Sequence, residues 1–79
     1  MERITYAVIS LDGPSQFGEA IRFFRKRRGL TQQQVADMVG CSLMYVSNLE
    51  RGKPTAELGK ALKILDALDV EISFSDRRK

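Results

Sequence analysis

The feature that most constrains this chain is the order of helix-starting and helix-ending residues between Gly29 and Gly52. Thr31-Gln32-Gln33-Gln34 has the form of a capping box: the threonine hydroxyl accepts from the backbone of residue 34, whose side chain reaches back. Gly40 then ends a short helix, because a turn residue at positive φ costs glycine little. Ser42 caps a second helix, running from Leu43 to about Glu50 and stopped by Gly52. Val35, Ala36 and Val39 form the inward edge of the first helix, with Ala36 small where the two must approach closely. Val46 and Leu49 anchor the second, so its other side is committed to solvent or to a ligand. Two short helices joined by a tight turn make a helix-turn-helix.

The flanking segments are simpler. Residues 3–10 are rich in β-branched and aromatic types and predict a strand, which Asp12-Gly13-Pro14 ends. Ser15 is expected to cap a helix with Glu19 in its first turn. Phe17, Ala20, Ile21 and Phe24 recur at helical spacing and give it one apolar stripe, and Gly29 stops it at Arg28. Phe23 lies off that stripe, so a terminal strand or a partner is expected to pack on it. Thr55 is expected to cap a last helix with Glu57 in its first turn, its apolar side being Leu58, Ala61, Leu62, Leu65 and Leu68. After Asp69 the period changes to two, and Val70-Glu71-Ile72-Ser73-Phe74-Ser75 predicts a strand ahead of a polar tail. Strands need pairing, so residues 3–9 and 70–75 either join within one chain or pair across a two-fold axis. The expected architecture is mainly α, four or five helices with short N- and C-terminal β-strands, in one domain over 1–79 with its core in 16–69.

Composition narrows the function. A chain of 79 residues holds one modest core. It has no apolar run long enough for a membrane span and no secretory signal at Met1-Glu2-Arg3-Ile4-Thr5. Cys41 is the only cysteine, which excludes an intrachain disulfide and fits a reducing compartment, so a cytoplasmic location is expected. Cys41 itself is expected as a small buried hydrophobe in the turn. With no histidine there is no imidazole base, no Ser-His-Asp arrangement and no His-bearing zinc site. No carboxylate pair stands at a useful spacing, so an enzyme is not expected, nor is a cofactor or metal. Five of the 13 basic residues, Arg22, Arg25, Lys26, Arg27 and Arg28, fall within seven positions. Such a cluster attracts a polyanion, and fits a solvated helix face equally well.

The run from Gly29 to Ser42, followed by Val46-Ser47-Asn48-Leu49-Glu50-Arg51-Gly52-Lys53, closely resembles the Cro/XRE-type repressor domain. The likeness covers residues 16–69 and implies a lambda-repressor-like bundle whose third helix enters the major groove of DNA. Within that family, Leu62-Lys63-Ile64-Leu65-Asp66-Ala67-Leu68 running into Glu71-Ile72-Ser73-Phe74 is similar to the HipB-type antitoxins. That resemblance implies a homodimer joined through Val70, Ile72 and Phe74, a palindromic double-stranded operator, and a HipA-type kinase toxin as partner. Plain Cro/XRE repressors without a toxin, and toxin-masking proteins with little DNA binding, are the alternatives.

The resemblance places base reading at Ser42, Leu43, Met44, Tyr45, Ser47 and Asn48. Asn48 can pair bidentately with adenine, and Leu43 or Met44 can pack on a thymine methyl, while packing inside the domain is the other role open to Leu43, Met44 and Tyr45. Few of these are Gln, Lys or Arg, so readout leans on apolar contact, water and DNA shape. Thr31, Gln32, Arg51 and Lys53 are expected to meet phosphates, which position a protein without choosing sequence. Glu50, an acid on a face meant for DNA, is expected to pair with Arg25.

Overall fold

The protein is described by a computed structural model over residues 11–78. Pro14 opens α1 (Pro14–Arg27), where its fixed φ suits the first helical position and its missing N–H would have had no partner. Gly13 is the N-cap, and no side chain caps the helix. Ser15 therefore sits inside the first turn, not ahead of it as expected. The two central helices are α2 (Gln32–Val39) and α3 (Leu43–Glu50), capped by Thr31 and Ser42 at their predicted places. The last helix, α4 (Leu58–Ala67), begins later than Thr55 suggests. The turn at Pro54-Thr55 occupies that residue, the backbone N–H of Ala56 donates to the Lys53 carbonyl at 3.2 Å, and Glu57 becomes the N-cap.

All four helices end alike, with an N–H just past the helix returning to the carbonyl five residues earlier. The bonds are Leu30 to Arg25 at 3.2 Å, Cys41 to Ala36 at 3.0 Å, Lys53 to Asn48 at 3.0 Å and Val70 to Leu65 at 2.9 Å. Such an ending needs a residue at positive φ. After α4 that residue is Asp69, at φ 59°, a conformation a short polar side chain tolerates better than most. Arg28 reinforces the same end: its Nε donates to the Leu68 carbonyl at 2.9 Å and its Nη2 to that of Asp69 at 3.4 Å. A cation belongs there, where unsatisfied carbonyls concentrate partial negative charge.

The core is Ile21, Val35, Ala36, Val46, Leu49, Ala61, Ile64, Leu65 and Leu68. Two expected members of the α4 stripe, Leu58 and Leu62, are exposed, and Ile64 is buried in their stead. Contacts to α2 rotate the helix so that 61, 64, 65 and 68 face inward. Cys41 is half-buried against this core, less enclosed than expected. Phe23 is exposed, meeting Phe24 edge-on with ring centroids 5.2 Å apart. Gly18 is buried where α1 crosses α3, and a Cβ there would lie 2.6 Å from the Glu50 carbonyl oxygen. Only a glycine lets the two backbones come so near.

No strand forms at 70–75 among the described residues. Val70 completes the end of α4 and packs half-buried on the core, while Ile72 and Phe74 are exposed. Alternation marks out two faces of a segment, but a strand also needs a neighbouring backbone to bond with, and among the described residues no segment pairs with 70–75. The strand expected at 3–10 lies outside the described residues. No helix among the described residues is long and apolar enough to cross a membrane.

Candidate nucleic-acid interface

The interface is built around one buried carboxylate. Glu50 ends α3 and is 8 % exposed, as is Arg25 on α1. Arg25 Nε donates to Glu50 Oε2 at 2.6 Å and Nη2 to Oε1 at 3.0 Å, a fork whose two prongs fix both distance and plane. The third guanidinium nitrogen, Nη1, donates to the Leu30 carbonyl at 2.8 Å, so the turn before α2 is held as well. Gln32, at the start of α2, donates from Nε2 to Glu50 Oε1 at 3.1 Å. One carboxylate thus ties α1, α2 and α3 together. Burying an acid at the end of α3 is physically reasonable only because its lone pairs are occupied this way.

Gln32 is therefore half-buried and bonded inward, not free as its sequence position suggests. Thr31 is exposed, its Oγ1 accepting from Gln34 N at 3.0 Å while Gln34 Oε1 accepts from Thr31 N at 2.8 Å. Ser42 caps α3 through Oγ, which accepts from Tyr45 N at 3.0 Å. Leu43 and Met44 follow in its first turn and are exposed, Met44 to 65 %. Ser42, Leu43 and Met44 thus form a protruding tip, with Ser47 and Asn48 half-buried farther along the helix. Arg51 and Lys53 are exposed beyond its end, and Arg51 Nη2 donates to Asn48 Oδ1 at 2.6 Å.

Tyr45 does not share that freedom. Its ring packs against the core, and its hydroxyl donates to the Glu57 carbonyl at the start of α4. Lys60 Nζ lies 5.5 Å from the ring centroid. Burial pushes the phenol above its usual pKa of 10.0, and the nearby Glu57 and Cys41 add to the shift. These contacts assign Tyr45 to holding α3 against α4. Sequence reasoning missed Arg28 as the cation ending α4, and missed Gly18 as the contact point of α1 and α3. A glycine inside a helix, costing about 1 kcal/mol relative to alanine, was a signal for the second. Nothing local marks the first, since its carbonyl partners lie some forty residues away.

This arrangement can be set beside known proteins. The family model for helix-turn-helix domains designated HTH_3 matches residues 21–75. An HTH-type transcriptional regulator of Sinorhizobium fredii, y4mF, is 38 % identical over 69 residues, covering 84 % of this chain and 91 % of its own. Antitoxin HipB of Escherichia coli O6:H1 is 27 % identical over 77 residues, covering 94 % of this chain and 82 % of its own. Among solved structures, the HipA-HipB-O2-O3 complex contains a chain that superposes with a TM-score of 0.78 at 26 % identity, covering 87 % of this chain and 97 % of that one. These relatives are regulators and antitoxins, not enzymes. Two capped helices locked across a tight turn, together with a family match over most of the chain, place this protein in the Cro/XRE-type helix-turn-helix family, as a DNA-binding regulator related to the HipB antitoxins.

Proposed function

We propose that this protein is a cytoplasmic, sequence-specific repressor, a single domain that binds a palindromic operator as a homodimer and serves as the antitoxin of a HipA-type kinase. The observation carrying the reading is the Ser42-Leu43-Met44 tip, exposed on a helix that Arg25, Gln32 and Glu50 hold rigidly. In this docking the tip, with Ser47 and Asn48, reads base edges. Thr31 sits near the phosphates at the start of α2, and Arg51 and Lys53 flank the far end of α3. Leu43 and Met44 suit a thymine methyl. Two such helices about 34 Å apart would read half-sites one turn apart. The antitoxin role draws support from likeness to HipB in sequence and to the HipB chain solved with HipA. A stand-alone regulator is the second reading, since y4mF, at 38 % identity, is named as a transcriptional regulator and not as an antitoxin.

The test is binding to the DNA upstream of the protein's own gene, followed by fluorescence anisotropy across a salt series. The binding constant should fall by roughly 0.9 log units per log salt for each phosphate neutralised. Replacing Ser47 and Asn48 together with alanine should abolish preference for that site over unrelated DNA while the chain stays folded. A preference that survives the double substitution would overturn the base-reading assignment. Co-purification with the product of an adjacent kinase gene separates antitoxin from stand-alone regulator.

A further inference from the structure

A guanidinium has only donors, so the atom of Asn48 that Arg51 holds at 2.6 Å must be the amide oxygen. This fixes which end of the carboxamide is engaged. Oδ1 is turned along the helix toward residue 51, and no hydrogen bond within the described residues engages Nδ2. An asparagine reading adenine bidentately needs both ends, its oxygen accepting from N6 while its nitrogen donates to N7. Arg51 takes one of the two lone pairs of Oδ1 and holds that end of the carboxamide toward residue 51, so Nδ2 is the end left without a partner among the described residues.

We propose that Arg51 is a positioning residue that orients Asn48 to read through its amide donors, so that the base it meets is guanine in preference to adenine. Guanine shows two acceptors in the major groove, N7 and O6, whereas the N6 amino group of adenine requires an acceptor opposite it. Arg51 is exposed and has further N–H groups to spare, so it can hold a phosphate oxygen at the same time. The backbone contact and the base contact are then coupled through one side chain. This inference rests on α3 entering the major groove as proposed above.

The experiment is selection of duplexes from a library with randomised half-sites, using the full chain, Arg51→Met and Asn48→Ala, with circular dichroism confirming the folded state. The wild-type chain should enrich guanine at one position, and Asn48→Ala should lose the preference there and nowhere else. Arg51→Met frees Oδ1, so the preference at that position should move from guanine to adenine, a change on the order of tenfold in relative affinity. Guanine preference that persists in Arg51→Met beside a uniform loss of affinity would make Arg51 a phosphate contact only and overturn the proposal. Adenine enriched by the wild-type chain at the Asn48 position would also overturn it. A wild-type chain that enriches no sequence removes the base-reading assignment itself, an outcome visible before any variant is compared.

Discussion

The seam between α1 and α3 and the segment after α4 are both rich in polar backbone, yet they end in opposite conditions. At the seam, Gly18 admits the α3 carbonyls and the Arg25–Glu50 fork closes over them, leaving no buried side-chain polar atom without a partner among the described residues. After α4, Val70 caps the helix and then the chain leaves the core, with Ile72 exposed and Phe74 at 95 %. The seam is complete within one protomer. The segment 70–78 has exposed apolar side chains and strand-type alternation that nothing among the described residues pairs with. Stability of the domain therefore rests on the seam, and the proposed assembly would draw on the segment after α4.

Substitutions at the two regions should separate these roles. The largest effect is expected from Glu50→Ala, which strands the Arg25 guanidinium in a buried site. Breaking a buried pair from one side costs about 3–5 kcal/mol, and urea unfolding should show it. Replacing both partners by apolar residues, Arg25→Met with Glu50→Leu, should recover most of that loss. Equal losses in the single and double variants would mean that the fork contributes nothing beyond packing.

Gly18→Ala comes next. A helix interior ordinarily gains about 1 kcal/mol from this change, so any net loss measures the forced separation of α1 and α3. Destabilisation of about 1–3 kcal/mol is expected, read from the same unfolding curves. A gain would show that the helices can part without strain.

The smallest effect on folding should come from Phe74→Ser, within about 0.5 kcal/mol for an exposed residue that touches no core. Sedimentation equilibrium should nevertheless show weaker self-association if residues 70–75 join protomers, as the resemblance to the HipB-type antitoxins implies. An unchanged association constant would move the dimer contact elsewhere, with the exposed Leu58 and Leu62 of α4 the next place to look.

The sequence carried the helix-turn-helix almost whole. Thr31 with Gln34, Gly40 and Ser42 act on neighbours within a few residues, so their roles are decided locally and can be recognised from spacing alone. The inward residues Val35, Ala36, Val46 and Leu49 follow from the same helical period. Ser15 and Thr55 misled because capping chemistry is common, whereas the actual starts were set by Pro14 and by the turn at Pro54. The rotation of α4, the bond from Gln32 to Glu50, the close crossing at Gly18 and the use of Arg28 to end α4 depend on partners distant in the chain. No periodicity encodes which distant carbonyl a long cationic side chain will reach, because that choice is made only when the helices are packed. Strand pairing belongs to the same class: residues 70–75 carry the alternation, but hydrogen bonds between backbones require a second segment, and alternation does not encode which segment that is.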